Sequence, residues 1–255
     1  MLLAVDVGNS QTVIGVFDGA ELAQHWRLST QASRTPDEWA MLFGGLMEFA
    51  NLSFSRNVHG VIIASVVPLV TETLRDMTRR YFRFDPVVVE AGMSTGIDIR
   101  TENPREVGSE RLVNALAAYV RYGGPGIVVD FGTATNFDVY AADGAFIGGA
   151  IAPGVQSSID ALTARGAQLG AIELAVPQFA IGRNTVENMQ SGAVYGFAGQ
   201  VERIVAEIGR ELDTEMVVVA TGGLAGVVVQ TCRCFDHHNP WLTLEGLQLV
   251  WERNT

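Results

Sequence analysis

Short apolar runs alternate along the chain with segments of helical periodicity. The runs are rich in Val and Ile, which is typical of buried strands. They predict strands at Leu2–Val5, Val13–Phe17, Val61–Val66, Val87–Glu90, Ile127–Val129, Phe137–Ala141, Phe146–Ile151 and Met216–Ala220. Strands that alternate with helices indicate an α/β protein.

Helices are predicted where a capping sequence or an apolar period of helical spacing occurs. Thr35-Pro36-Asp37-Glu38 combines a capping box with Pro at the first helical position, which predicts a helix to about residue 50. Asn184-Thr185-Val186-Glu187 predicts the start of a long helix to about residue 212. Between Glu106 and Tyr122, apolar residues recur at the spacing of a third helix.

An internal repeat organises these elements. Asp6 and Asp130 lie about half a chain length apart, and each follows an apolar strand. Each is followed by Gly at the second position, by small polar residues, by a second strand and by a third extended segment. A chance match is the alternative, but the repeat favours two duplicated domains with mixed sheets, at residues 1–120 and 121–255.

The two repeated turns have the composition of phosphate-binding turns. Glycine lets backbone N–H groups approach an anion, and Asn9, Ser10 and Thr12 add side-chain donors. A carboxylate at the end of a strand can face a Mg²⁺ ion held through waters and phosphates. Taken singly, each turn fits an ordinary hairpin. Together they predict two turns that face each other across an interdomain cleft and bind a nucleoside triphosphate, with Gly222 and Gly223 near the nucleoside.

Composition narrows the function further. The chain has 255 residues, 48% of them hydrophobic, and a formal net charge of −11, which argues against a general nucleic-acid or membrane surface. It contains no lysine, so a P-loop lysine is excluded. Cys232 and Cys234, the two cysteines, are too close in sequence for a disulfide framework. The N-terminal apolar run stops at Asp6, which is unlike a signal peptide, and a cytoplasmic protein is expected.

Seven ordered motifs resemble those of one enzyme family over the whole chain. They read DVGNSQT, NPREVGSERLVNALAAY, VVDFGTATNFDV, GGAIAPGV, IGRNTVENMQSGAVYGF, ATGGLA and LTLEGLQLVWERN. The chain is thereby similar to type III pantothenate kinases, within the acetate and sugar kinase/Hsp70/actin superfamily. The resemblance implies duplicated ribonuclease H-like (actin-like ATPase) domains with mixed five-stranded sheets and an interdomain cleft. It also implies a homodimer that phosphorylates pantothenate with ATP, Mg²⁺ and a monovalent cation (K⁺ or NH₄⁺), as the first step towards coenzyme A.

The same resemblance implies roles for individual residues. The first phosphate-binding hairpin would comprise Asp6, Val7, Gly8, Asn9, Ser10, Gln11, Thr12 and Val13, with Mg²⁺ bound to Asp6 through water. Asp130 would hold the monovalent cation, and Thr133 would touch ATP. The pantothenate site would be lined by Gly108, Ser109, Glu110 and Arg111, and by Thr185 of the neighbouring subunit. Glu110 would be the general base.

The chain departs from the family at two of these positions. The usual motif is Gly-x-Asp-Arg, whereas this chain has Glu110 in the third place, and Asn136 stands where Thr is common. A placement error on the order of 1 Å can cost ~10²-fold in rate. The alternative is therefore that Glu110 is a solvated helix residue in a slow or inactive protein. Arg111 suits a bidentate bond to the pantothenate carboxylate, or else an ion pair with Glu106 or Glu110.

Other functional hypotheses remain at this stage. A nucleotide-binding regulatory protein of the transcription accessory type would use the same fold, and a sugar or acetate kinase would belong to the same superfamily. The segment Cys232–His238 is interpreted as a loop before the last helix, because its spacing is unlike that of zinc sites. Gly192, Gly196 and Gly199 on the long helix indicate close backbone packing, either within the fold or at a dimer interface.

Overall fold

A computed structural model describes residues 1–90, 93, 95–166 and 169–255, without the side chain of Ser55. These residues form two compact units. The first unit contains Met1–Ile97, Glu102–Ala117 and Thr243–Thr255, and the second contains Asp98–Thr101 and Ala118–Leu242. The C-terminal segment therefore packs with the first unit. The assignment of two duplicated domains to residues 1–120 and 121–255 stays a prediction.

The first unit is built on a mixed five-stranded sheet. Its strands are β1 (Leu2–Val7), β2 (Gln11–Asp18), β3 (Glu21–Ser29), β4 (Gly60–Ser65) and β5 (Val87–Val88), in the order β3-β2-β1-β4-β5. Two tight turns make β1, β2 and β3 an antiparallel meander, whereas β4 and β5 join parallel to β1 and to each other. The parallel strands need crossover connections, which the helices supply.

Helices α1 (Pro36–Phe49), α2 (Phe54–Asn57) and α3 (Pro68–Phe82) form those crossovers. Alternate residues of β1, namely Leu3, Val5 and Val7, pack against Trp39 and Phe43 of α1 and against residues of α3. The capping box predicted for α1 is confirmed, because Thr35 accepts the Glu38 N–H and Glu38 accepts the Thr35 N–H. This cluster is the hydrophobic core of the first unit.

The C-terminal helix packs close to this sheet through two glycines. A 3₁₀ turn (Pro104–Glu106) precedes α4 (Ser109–Tyr122), and α8 (Leu242–Asn254) ends the chain. A Cβ atom at Gly15 would lie 2.8 Å from Leu244, and one at Gly60 would overlap the Trp251 ring. The Thr243 hydroxyl donates to Asn114 Oδ1 at 2.8 Å, which joins α8 to α4.

The second unit repeats the sheet of the first. Its strands are β6 (Gly126–Phe131), β7 (Ala134–Tyr140), β8 (Phe146–Pro153), β9 (Val217–Thr221) and β10 (His237–His238), in the order β8-β7-β6-β9-β10. Strands β6, β7 and β8 are antiparallel, and β9 and β10 are parallel to β6. The same order and directions in both sheets confirm the prediction of duplicated α/β units with mixed five-stranded sheets.

Helices α5 (Val155–Arg165), α6 (Thr185–Leu212) and α7 (Ala225–Val228), with a 3₁₀ turn (Val229–Thr231), complete the second unit. Ile127, Val129 and Phe131 of β6 pack against residues of α5 and α6, as their counterparts in β1 pack against α1 and α3. Asn184 caps α6 by accepting the Glu187 N–H at 2.9 Å, so the predicted start of the long helix is confirmed.

Some boundaries differ from prediction. Strand β4 stops at Ser65, because Pro68 begins α3, and β5 covers only Val87–Val88. The predicted loop at Cys232–His238 is wrong in part, since His237 and His238 form β10 beside β9.

Within the described part of the chain, no helix is long and apolar enough to span a membrane.

Candidate active site

The turn between β1 and β2 is fixed by hydrogen bonds from both sides. The Gly8 N–H donates to the Gln11 carbonyl at 2.9 Å, and the Thr30 hydroxyl donates to the Gly8 carbonyl at 2.8 Å. The hydroxyls of Thr12 and Thr30 lie 2.9 Å apart, so Thr12 donates to Thr30. Thr12 is buried and supports the turn from within, whereas the residues at its tip, Asn9, Ser10 and Gln11, are exposed.

Asp6 lies one residue before the end of β1 and faces away from the core formed with α1 and α3. Strand alternation places it on the face opposite Leu3, Val5 and Val7. In register it lies beside Val13 of β2 and Ala64 of β4. Its side chain is half-buried. The strand therefore ends with a carboxylate close to the exposed turn that follows it.

The turn between β6 and β7 has the same hydrogen bond but is one residue shorter. The Gly132 N–H donates to the Ala134 carbonyl at 2.9 Å. The start of α5 supports this turn, because the Ser157 hydroxyl donates to the Thr133 carbonyl at 2.8 Å. A Cβ atom at Gly154 would lie 2.7 Å from the Gly132 carbonyl oxygen, so only glycine fits there. Thr133 itself is exposed.

Asp130 is surrounded by polar and glycine residues of neighbouring strands. It lies opposite Asn136 in β7 and Thr221 in β9. Gly222, directly after β9, has φ +94°, and a Cβ atom there would lie 2.5 Å from Asp130 Oδ1 and 2.6 Å from the Phe131 nitrogen. The structure thus brings three predicted features of the second unit together, namely Asp130, the Gly132 turn and the glycine pair at 222–223.

The predicted pantothenate-binding residues lie at the N-terminus of α4. The Gly108 carbonyl accepts the Arg111 N–H at 3.1 Å, which starts the helix. Glu110 lies in the first turn, where the positive end of the helix dipole favours a carboxylate. Its Oε2 atom is buried and accepts no hydrogen bond from any residue that the structure describes. Burial raises the pKa of the Glu110 carboxyl, while its own backbone N–H and the charge of Arg111 oppose this shift.

These observations bear on one alternative from the sequence. Glu110 is half-buried as a residue, and its Oε2 atom is buried, so one oxygen of its carboxylate is removed from water. A buried carboxylate with a raised pKa is typical of groups that exchange protons with a substrate. Such a group has a stronger driving force to accept a proton than an exposed carboxylate has. The position can therefore serve general-base chemistry.

Thr185 belongs to the second unit and is the first residue of α6. It is exposed and borders a pocket of about 470 Å³ between α5 and α6. Most of the pocket lining is apolar, including Ile159, Leu162 and Phe197. Within the second unit, Thr185 is therefore the start of a helix beside an apolar groove.

Three supporting residues were not predicted from the sequence. Thr30 braces the first turn, whereas Gly154 and Ser157 brace the second. Gly154 is part of the motif GGAIAPGV, so the motif could have indicated its role. Thr30 lies at the end of an extended segment that has no distinctive sequence pattern. All three act on turn carbonyls through contacts distant in sequence.

The donor atoms at the two turns suit hard cations. Asp6 and Asp130 supply carboxylate oxygens, and Asn136 lies beside Asp130 in register. Mg²⁺ and K⁺ both prefer oxygen ligands, and Mg²⁺ commonly keeps waters and binds through one or two carboxylates and substrate phosphates. Among the residues described, no group of three or more His, Cys, Asp or Glu side chains forms a metal site. The donor set thus fits cations held jointly with a phosphate ligand, and not a site made of protein alone.

Comparison with known sequences identifies one family. The family model for type III pantothenate kinase matches residues 2–207. The chain is 53% identical to a type III pantothenate kinase from Streptomyces avermitilis, covering 100% of this chain and 98% of the relative. It is 51% identical to a type III pantothenate kinase from Thermobifida fusca, with 100% of both chains covered.

Comparison with solved structures shows the fold. A Baf family transcriptional activator from Campylobacter jejuni has a TM-score of 0.59 at 16% identity, covering 99% of this chain and 98% of its own. The ROK hexokinase from Thermus thermophilus has a TM-score of 0.50 at 13% identity, covering 98% and 97%. At such low identities, these similarities establish the actin-like ATPase fold that the motifs predicted, and they do not identify a function.

Proposed function

The chain belongs to the type III pantothenate kinase family, and we propose that it transfers the γ-phosphoryl group of ATP to the hydroxyl of pantothenate through the buried carboxylate of Glu110. The product is 4′-phosphopantothenate, the first intermediate towards coenzyme A. Relatives with about 50% identity over the whole chain are pantothenate kinases, which supports this activity over the regulatory alternative. The observation that carries the catalytic assignment is the burial of the Glu110 carboxylate at the start of α4.

Each of the two glycine turns is assigned to the binding of nucleotide phosphate. Phosphoryl transfer depends mainly on positioning and on stabilising charge. Without lysine, the protein supplies that stabilisation through backbone N–H groups, Arg and cations. The exposed tip of the first turn, Asn9 to Gln11, and the exposed Thr133 of the second turn suit contact with phosphate oxygens. Gly222 and the exposed Gly223 suit contact with the nucleoside.

Pantothenate binds at the start of α4, beside Gly108, Ser109, Glu110 and Arg111. The Arg111 guanidinium pairs with the pantothenate carboxylate, because its planar fork matches a carboxylate bidentately. Glu110 accepts the proton of the pantothenate hydroxyl as that oxygen attacks the γ-phosphorus, and ADP leaves. The raised pKa of Glu110 favours this proton transfer.

Two cations are assigned to the carboxylates that end the strands. Asp6 would hold Mg²⁺ through water, and Asp130 would hold K⁺ or NH₄⁺. Bound cations neutralise the charge of the triphosphate. The oxygen donors at both places support this assignment, including Asn136 beside Asp130. Omission of K⁺ and NH₄⁺ from the assay is expected to lower turnover strongly in the wild type.

A homodimer completes the pantothenate site with Thr185 of the second copy. The exposed face of α6 supports this proposal, because, apart from the adjoining backbone of α6 itself, no described atom lies within 4 Å of a Cβ built at Gly192, Gly196 or Gly199. Packing of these glycines within one copy is thus not observed. Exposed apolar side chains, Tyr195 at 42% and Ile181 at 84%, lie on or near the same helix. A glycine face lets a second helix approach closely.

The dimer is tested with Gly196→Leu against a matched control. Gly45 in α1 is also an open helix glycine, so Gly45→Leu adds the same side chain elsewhere. We expect Gly196→Leu to form monomers in light scattering and to lose pantothenate phosphorylation, while Gly45→Leu stays dimeric and active. A dimeric and fully active Gly196→Leu protein would contradict the assignment.

The activity is tested with a panel of acceptors. Purified protein is incubated with ATP, Mg²⁺ and K⁺, together with pantothenate, glucose or acetate, and products are identified by mass spectrometry. We expect phosphorylation of pantothenate alone. Phosphorylation of glucose or acetate instead would assign the chain to another kinase class.

We place the protein in the cytoplasm, where ATP is available and where free cysteines such as Cys232 and Cys234 persist.

A further inference from the structure

The two cysteines of the chain bring their sulfur atoms together in the second unit. The Sγ atoms of Cys232 and Cys234 lie 3.3 Å apart, and neither forms a disulfide. Cys232 is buried and donates to the Ala198 carbonyl of α6 at 3.9 Å, so the Cys234 thiol is the donor of the sulfur–sulfur contact. Since a covalent S–S bond measures about 2.05 Å, an approach of about 1.3 Å would join the two sulfurs.

The contact also changes the acidity of the two thiols. The hydrogen bond from Cys234 lowers the pKa of Cys232, while burial and the charge of Glu202 oppose this shift. The same bond raises the pKa of Cys234. The pair therefore loses its first proton more readily than an isolated thiol does, because the remaining S–H stabilises the thiolate. The thiolate is the form of cysteine that attacks a disulfide.

Hydrogen bonds hold the segment that carries the cysteines on both sides. The Arg233 N–H donates to Glu202 of α6 at 2.9 Å. Asp236 bonds twice to Val218 of β9, since its N–H donates to the Val218 carbonyl at 2.9 Å and its carboxylate accepts the Val218 N–H at 2.8 Å. These bonds fix the backbone on which the two sulfurs face each other, so a bond between them requires little further ordering of the chain.

Two thiols in contact can bind a soft metal ion or form a disulfide. Structural zinc sites use more protein ligands than two thiols provide. In the part of the chain that the structure covers, no group of three or more His, Cys, Asp or Glu side chains is placed to hold a metal ion. Disulfides in the cytosol are mostly transient and redox-active. Reversible disulfide formation is thus the chemistry that this pair supports best.

We propose that Cys232 and Cys234 form a reversible dithiol–disulfide site that exchanges with low-molecular-weight disulfides. A thiolate of the pair attacks one sulfur of the small disulfide, whose S–S bond breaks and releases a small thiolate. The second protein thiol loses its proton and attacks the protein sulfur of this mixed disulfide, so the bond between the cysteines forms and a second small thiolate leaves. The two protein protons pass to the two small thiolates. The cysteines are oxidised, the small disulfide is reduced to two thiols, and the site does not depend on the proposed kinase activity.

The test measures the redox state of the full chain in mixtures of reduced and oxidised glutathione. After acid quenching and alkylation, intact mass spectrometry distinguishes free thiols, glutathione adducts and disulfides. We expect the wild type to pass from two alkylated thiols to none without accumulating an adduct, and dithiothreitol should restore both thiols. In Cys232→Ser, the half-buried Cys234 has no second thiol to displace the glutathione, so this variant should accumulate the adduct.

Three results with the wild type would overturn the proposal. They are an accumulated glutathione adduct, a disulfide between two copies of the chain, and two thiols that stay reduced in a large excess of oxidised glutathione.

The same titration in urea tests whether the fold prepares the site. Groups held in place have a higher effective concentration than groups on a flexible chain. The equilibrium constant for the disulfide should therefore be at least about tenfold larger in the folded protein than in the unfolded chain, with circular dichroism reporting the folded state. Equal constants would refute the geometric argument. This comparison uses the wild type alone, so it decides the matter even if Cys232→Ser does not fold.

Discussion

Replacement of Gly222 by alanine is expected to destabilise the second unit and to disturb Asp130. At φ +94° an L side chain is strained by about 1–3 kcal/mol. The new Cβ atom would also lie 2.5 Å from Asp130 Oδ1, 2.6 Å from the Phe131 nitrogen and 2.7 Å from the Phe131 oxygen. Two of these are backbone atoms of β6, so a strand must shift, at a cost of about 1–3 kcal/mol.

The two effects together predict a loss of roughly 2–6 kcal/mol in the free energy of unfolding. Urea unfolding followed by circular dichroism measures it, with Gly226→Ala as the matched control. Position 226 lies in α7, and a Cβ atom there would lie 3.8 Å from the nearest atom, on His238. The control should change stability by less than about 1 kcal/mol, since Gly→Ala in a helix is mildly favourable.

Activity provides the second readout for Gly222→Ala. Because the substitution pushes against the Asp130 carboxylate, we expect a higher KM for ATP and a weaker response to K⁺ in whatever protein remains folded. A variant within 0.5 kcal/mol of the wild type would refute the reasoning about Gly222, and unchanged ATP kinetics would separate Asp130 from the nucleotide site.

Three further substitutions test other parts of the structure. Glu110→Gln should be more stable than the wild type at pH 7–8, because the raised pKa makes the wild type lose stability as pH rises above the ordinary carboxyl value of 4.5. Each unit of pKa difference contributes about 1.36 kcal/mol, and the gap should close below pH 4.5. Thr35→Ala removes the N-cap of α1 and should cost about 0.5–2 kcal/mol in thermal unfolding. Gly60→Ala should cost about 1–3 kcal/mol by overlap with the Trp251 ring, and Trp251→Phe should restore part of that loss.

Each of these substitutions has a result that contradicts its explanation. A Glu110→Gln protein with the pH profile of the wild type would mean that the carboxylate is hydrated. Equal melting temperatures for Thr35→Ala and wild type would remove the capping contribution. A Gly60→Ala protein as stable as the wild type would show that Trp251 can move without loss.

Helices were predictable from the sequence where a side chain caps them. Thr35 and Asn184 accept backbone N–H groups at the starts of α1 and α6, and both starts were predicted. Helices α3 and α5 begin after Val67 and Gly154, which make no side-chain capping bond, and neither helix was predicted. A helix with a side-chain cap can be recognised from its local sequence, whereas a helix without one depends on tertiary packing.

The sheets show the same division between local and distant determinants. The antiparallel meanders follow from tight turns after Asp6 and Asp130, so the repeat was visible in the sequence. Strand β10 has only His237 and His238 and exists through pairing with β9, which no local pattern encodes. Register across parallel strands is set by contacts distant in sequence.

The sequence motifs predict which residues belong to the candidate site, but they do not predict how those residues are arranged in space. The motifs identified Glu110 and Asp130, yet they could not show that Glu110 packs on Gly108 or that Gly222 lies against Asp130. Burial decides the protonation behaviour of Glu110, and burial depends on the folded chain. Whether the extra methylene of Glu110 is tolerated therefore depends on packing and not on sequence pattern, and it stays a prediction that the activity assay tests.

The most direct test of the account is the rate of 4′-phosphopantothenate formation by wild type and Glu110→Gln under identical conditions. Mass spectrometry quantifies the product with saturating ATP, Mg²⁺, K⁺ and pantothenate. We predict steady product formation by the wild type and a rate lower by about 10²–10⁴-fold in Glu110→Gln, as loss of a general base commonly causes. Similar rates in the two proteins would contradict the claim that the Glu110 carboxylate activates pantothenate.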